Sequence, residues 1–151
     1  MSAQQHLSTA QAVGAQSFWT RVSAEPAFAA FWLLRAGFVA LPILMGLDKF
    51  FNLMTDWTYY LAPVVTDVLP VSAQTFMYVV GVIEIVAGLA VAAKPRYAAY
   101  VVALWLTGII VNLLIVGGYY DVALRDFGLL VAALSLALLA RQYDLPKAKV
   151  H

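Results

Sequence analysis

Four long apolar stretches constrain this chain more than any other feature. They cover residues 29–54, 73–93, 97–118 and 122–140. Each is close to the ~20 residues that cross ~30 Å of hydrocarbon as an α-helix. A segment in hydrocarbon has no water to bind its backbone N–H and C=O groups, so it must satisfy them internally. Helix is therefore the default, and the β-branched residues in these runs do not overrule that. Composition agrees. The chain is 64% hydrophobic and 11% charged, whereas soluble domains carry about 25% charged residues. The sequence predicts one domain with an all-α fold, an integral membrane four-helix transmembrane bundle.

Several function classes are excluded at once. The net charge is +1, so no basic footprint points to a nucleic-acid partner. Cysteine is absent, which removes disulfides, thiolate metal sites, iron–sulfur clusters and thiol redox chemistry within the chain. The histidines, His6 and His151, lie outside the apolar runs. A bis-histidine haem inside the bundle is thus unavailable, and no metal site is expected.

Residues 1–28 read as a polar tail followed by an approach segment. The first sixteen residues are small and polar, with no basic n-region and no cleavable h-region, so no signal peptide is expected. Ser17 to Phe28 mixes aromatics with Arg21 and Glu25, as an interfacial helix does. Pro26 suits the end of that segment or the first turn of the next. The link 55–72 is long, half apolar and punctuated by Pro63 and Pro70. Two readings fit it: an amphipathic helix on the outer interface, or a lid over a cavity between the spans.

Loop charges orient the bundle. Arg21 precedes span one, Lys94 and Arg96 join spans two and three, and residues 141–151 form a basic tail carrying Arg141, Lys147 and Lys149. The other links hold Asp56, Asp67 and Asp121 and no base. The positive-inside rule then places both termini in the cytoplasm.

Ionisable residues inside spans cost ~2.5–3.5 kcal/mol each on insertion scales and usually face the bundle interior. Arg35, Asp48, Lys49, Glu84, Arg125 and Asp126 are such residues. Their charges sum to zero, as mutual pairing requires. By depth, Asp48, Lys49, Asn112, Arg125 and Asp126 can form an outer polar layer with Glu84 as its floor. Arg35 lies apart, either reaching toward Glu84 or snorkelling to the cytoplasmic interface.

At ~100° per residue, Arg35, Pro42, Gly46 and Lys49 share one face of span one. Gly81, Glu84 and Gly88 share a face of span two, and Trp105, Gly108 and Asn112 a face of span three. Small residues let membrane helices approach, and polar ones join them. Asp48 points away from Arg35 and can serve the outer loop. Pro42 reads as a tolerated bend. Two readings of the charges stay open. They form an ion-pair lock that sets helix register, or they line a polar pocket for a quinone-like or other polar-headed molecule, or for a proton.

Three segments carry a family resemblance: RAGFVALPILMGLDKFFNL in span one, GVIEIVAGLAVA in span two and RDFGLLVAALSLALL in span four. In this order they resemble the DoxX-like family of small bacterial four-span membrane proteins, over about Phe31 to Ala140. The resemblance implies a four-helix bundle in the bacterial inner membrane, linked to membrane redox chemistry. The founding branch looks like a membrane subunit of a thiosulfate:quinone oxidoreductase, and a related branch assists maturation of an amine dehydrogenase. The family's polar positions would fall on Arg35, Lys49, Glu84, Arg125 and Asp126. The missing cysteines depart from the branch that assists disulfide formation.

The function this implies is a small subunit supporting quinone-linked electron transfer. Lys49 and Arg125 would face an anion or carbonyl, and Glu84 would accept a proton. Quinone is the expected ligand, and no cofactor is intrinsic. The expected partners are the lipid bilayer, a redox subunit and further copies of the chain. Two alternatives come from other classes: a non-catalytic accessory subunit of a larger complex, and a small-solute carrier that would need a homo-oligomer to form a path.

Overall fold

The structure is a computed structural model that describes residues 17–144. The tail 1–16, His6, Lys147, Lys149 and His151 lie outside the described residues. Within them the chain is helical, with no strand. A short helix α1 (Phe18–Ala24) leads into α2 (Pro26–Phe51). A 3-10 turn (Trp57–Tyr60) and a short helix α3 (Pro63–Val68) follow. Then come α4 (Ala73–Ala93), α5 (Pro95–Val116) and α6 (Tyr120–Tyr143). Helices α2, α4, α5 and α6 are each long and apolar enough to cross a membrane.

Local chemistry sets the helix ends. Pro26 occupies the first turn of α2, where its missing N–H is not needed. Span one therefore begins three residues before the expected 29. It stops at Phe51 rather than 54, because Asn52 adopts a left-handed conformation with φ 49°. Pro95 opens α5 in the same way, so this helix starts two residues before 97. Gly117, with φ 71°, ends it at Val116 rather than 118. Helix α6 runs over 120–143, not 122–140, so Arg141 belongs to its last turn and not to a tail. Helix α4 covers the expected 73–93, and the Ser72 hydroxyl accepts from the Thr75 N–H at its start. Pro42 sits inside an unbroken α2.

The bundle is made of two tightly packed pairs, α2 with α4 and α5 with α6, with sparser contact between the pairs. Glycine lets α2 and α4 touch. Gly46 and Gly81 lie face to face, and Gly88 lies against Val39 and Ile43. Alanines appear at the buried positions of the other pair: Ala99 and Ala103 on α5, Ala133, Ala137 and Ala140 on α6. These are the small-residue seams that membrane helices use in place of a hydrophobic drive.

The two ends of the bundle differ. The end where α2 starts and α6 finishes is solid. Phe31, Val91, Leu136 and the alanine seam fill it. Helix α1 folds back there through edge-on aromatic contacts of Phe18 with Phe28 and Trp32, at centroid distances of 5.7 and 5.5 Å. The opposite end is hollow, and residues 52–72 close over it. Large apolar side chains such as Leu33, Leu104 and Leu124 point outward, each more than 70% exposed. A contiguous apolar exterior of this kind suits hydrocarbon rather than water.

Candidate functional site

A cavity of about 600 Å3 lies in the hollow end, between the two helical pairs. Small-molecule sites span about 300–1,000 Å3. All four long helices contribute to its wall, and the solid core through Phe38, Val102 and Leu106 forms its floor. Most of the lining is apolar. From the four long helices, the polar lining comes from Lys49, Glu84, Trp105, Asn112, Arg125 and Asp126, and the link adds Thr55, Trp57 and Tyr60.

Lys49 and Glu84 form the central contact. The Lys49 ammonium donates to Glu84 Oε2 at 2.7 Å, and both residues are buried. Lys49 stands one helical turn beyond Gly46, and Glu84 one turn beyond Gly81. The glycine seam brings the two backbones close enough for these side chains to meet. The ammonium also sits 3.9 Å from the centroid of the Trp57 ring, where the negative face of the π-system stabilises it. One carboxylate and one ring thus share a buried positive charge.

Asp48, the adjacent residue, does a different job outside the cavity. Its carboxylate accepts from the N–H groups of Leu53 and Met54 at 3.1 and 3.2 Å, and from Trp57 Nε1 at 2.8 Å. It closes the turn after α2 and holds the Trp57 ring over Lys49. Asn112, from α5, pins the other side of the link. Its Oδ1 accepts from Ala62 N–H at 2.9 Å, and its Nδ2 donates to the Tyr60 carbonyl. Residues 52–72 thus form a 3-10 turn and a short helix that lie over the cavity. Met54, Trp57, Tyr60, Leu61 and Val65 form the cavity's roof.

The remaining charges do not join one network. The neutral set of six divides into local arrangements, because neutrality alone does not choose partners. Arg35 is at the solid end. It donates to the Ala92 carbonyl and lies 4.9 Å from the Trp32 ring, and it does not reach Glu84. Arg125 is largely exposed, and its nearest acid is Asp121 one turn back, at 3.8 Å. A long, exposed pair of this kind contributes about 0–1 kcal/mol. Asp126 faces the cavity and makes no ion pair among the described residues.

Two features of α5 carry no sequence signal beyond their helical phase. Gly108 does not pack against a neighbouring helix: a Cβ there would meet nothing within 4 Å. It leaves space in the wall. One turn away, the Trp105 indole N–H is buried with no acceptor. Such a group normally finds a partner when buried, so the cavity wall contains an enclosed donor with no acceptor among the described residues.

No three His, Asp or Glu residues among the described residues assemble in metal-binding geometry. Outside the spans, the Thr58 hydroxyl and then its backbone N–H, at 2.6 and 3.0 Å, hold the Asp56 carboxylate below its ordinary pKa. The ion pair with Arg21 does the same for Glu25 at the start of α2. Searches with the chain against family models, curated proteins and solved structures found no match.

Proposed function

We propose that this chain is a small multi-pass protein of the bacterial inner membrane that binds a carbonyl-bearing, lipid-soluble ligand of the quinone class between its helical pairs. It would serve there as the membrane part of a quinone-linked redox system, as the DoxX-like resemblance implies. The observation that carries this reading is the buried Trp105 N–H, without a partner among the described residues, in the wall of a largely apolar cavity. A buried donor without an acceptor costs about 1–3 kcal/mol, and a turn of the indole that brings it to a ligand carbonyl removes that cost.

The other lining residues fit the same ligand. Lys49 gives one short hydrogen bond to Glu84 and retains N–H capacity for a second acceptor. Glu84 holds the ammonium in place. Asp126 offers a carboxyl group that can hold or release a proton at the cavity wall. A quinone, when bound, supplies two-electron and two-proton chemistry. The electrons come from or go to a partner subunit. The basic residues Arg21, Lys94, Arg96 and Arg141 all fall at the solid end, and the positive-inside rule puts that end in the cytoplasm.

A purely structural role explains less. The glycine seam already fixes α2 against α4, and a register lock leaves Trp105 and Asp126 without a purpose. The test is calorimetric titration of the protein in lipid nanodiscs with a short-tailed ubiquinone. Saturable binding is expected. Trp105→Phe should weaken it about five- to tenfold, since one hydrogen bond is worth ~1 kcal/mol, with helix content unchanged. Absence of saturable binding to the unmodified protein sinks the reading.

A further inference from the structure

The cover over the cavity is tied down at both sides. Asp48 holds it at the end of α2, and Asn112 holds it at α5. Tyr60 also packs at a tilt against Tyr119, at the turn between α5 and α6, with centroids 4.7 Å apart. From Asn112 the chain runs on through α3 to the capped start of α4 at Ser72. The cover thus crosses the end of the bundle from α2 to α5 and then spans the α5–α4 side. Its 3-10 turn packs mainly on α4 and α5.

Residues that line the cavity and also face the exterior mark where it opens. Leu41 on α2 is 47% exposed and Met54 just beyond α2 is 70% exposed, while the Arg125 side chain on α6 is 73% exposed. All three line the cavity, as does Gly108 on α5, which is also exposed and marks the competing opening. Helical phase turns Leu41 and Arg125 away from the buried face of their helices. Ile43 faces α4 at Gly88, and Leu41 lies ~200° round the helix from it. On α6, Arg125 lies ~200° round from the buried Ala123.

We infer that ligands reach the cavity sideways from the lipid phase, through a mouth between α2 and α6 framed by Leu41, Met54 and Arg125. This deepens the ligand-binding reading and rests on it for the identity of the ligand. It assigns the ligand a class: an amphiphile whose carbonyl head lies inside near Trp105 and whose hydrocarbon tail leaves between α2 and α6. Arg125, loosely tied to Asp121, stands at the rim, where a polar head must pass it.

The absence of cysteine from the chain makes a direct test available. Ile109 lines the cavity on α5, so Ile109→Cys places a single thiol inside. In nanodiscs, a lipid-soluble N-alkyl maleimide is expected to label it, as read by mass spectrometry. Adding Leu41→Trp to fill the mouth should slow labelling about tenfold or more, a barrier change well above noise. Adding Gly108→Leu, on the α4–α5 side, should change it less than about twofold. Slowing by Gly108→Leu with no effect of Leu41→Trp overturns the inference, as does labelling by a water-soluble maleimide alone. A final arm adds short-tailed ubiquinone to the Ile109→Cys protein. Protection from the maleimide reports quinone occupancy, and its absence counts against the ligand while leaving the mouth to be judged by the other arms.

Discussion

Gly46 and Gly81 meet backbone to backbone across the α2–α4 seam. A Cβ on Gly46 would lie 2.6 Å from the Gly81 carbonyl oxygen, and a Cβ on Gly81 would lie 2.7 Å from the Gly46 oxygen. Neither obstacle is a side chain that can turn away. Adding one methyl must push two helices apart, and the Lys49–Glu84 hydrogen bond spans the same seam.

Gly81→Ala is therefore expected to destabilise the bundle by about 1–3 kcal/mol, the usual cost of overpacking a closed site. Gly108→Ala, with open space around it, should be neutral or slightly stabilising, since alanine favours helix over glycine by ~1 kcal/mol. Thermal unfolding in nanodiscs, followed by circular dichroism, distinguishes the two. Equal loss from both would show that the seam is not the constraint.

The Lys49–Glu84 pair should behave as a coupled unit. Removing one partner from a buried pair leaves an uncompensated charge and costs about 3–5 kcal/mol, while replacing both with apolar groups is often near neutral. Lys49→Met and Glu84→Met are each expected to be strongly destabilising, and the double variant should recover most of the loss. A double-mutant cycle on unfolding free energies reads the coupling. Additive losses would mean that each residue is held by something other than its partner.

How much of this was legible in the sequence depends on periodicity. The four spans follow from run length, and the phase of Gly81, Glu84 and Gly88 anticipates a polar group beside a glycine contact. Lys49 falls on the Gly46 face for the same reason. Gly108 has the same spacing to its polar neighbours, yet it borders empty space. A glycine in a pattern does not say whether a neighbour stands opposite it. Zero net charge did not identify partners either. Arg35 found a carbonyl 57 positions away, and Arg125 turned back to Asp121. Asp48 and Lys49 are adjacent in sequence but serve different structures, one the irregular turn and the other the cavity. That division depends on non-periodic backbone at Leu53, Met54 and Trp57, which no helical pattern encodes. The unpartnered indole N–H of Trp105 depends on what is absent around it, and only three-dimensional packing reveals that.

The cover should loosen when its ties are cut. Asp48→Ala leaves the N–H groups of Leu53 and Met54 and the Trp57 indole without their acceptor. Asn112→Ala likewise removes the partner of the Ala62 N–H. Lost hydrogen bonds to a charged group are worth about 1.5–3 kcal/mol, so exchange at these amides should speed by roughly tenfold or more in Asp48→Ala. Hydrogen exchange over 52–72 measures this, with the α5–α6 seam as an internal reference that should not change. Uniform acceleration across all helices would point to global destabilisation instead of a released cover.

Acid should fray the first turn of that cover only well below neutrality. The hydroxyl and backbone N–H of Thr58 hold the Asp56 carboxylate below its ordinary pKa. A depressed folded-state value means the cap contributes fully above the unfolded value and is lost as pH falls through the folded one. The Thr58 amide resonance should therefore be constant near neutrality and shift only in the acid range, with a midpoint below that of an unperturbed aspartate. In Thr58→Val the hydroxyl donor is gone but the backbone N–H remains, so the Asp56 midpoint should move back upward part of the way. An NMR pH titration of both proteins checks the direction. An Asp56 midpoint at or above the ordinary value would show that Thr58 does not cap the turn.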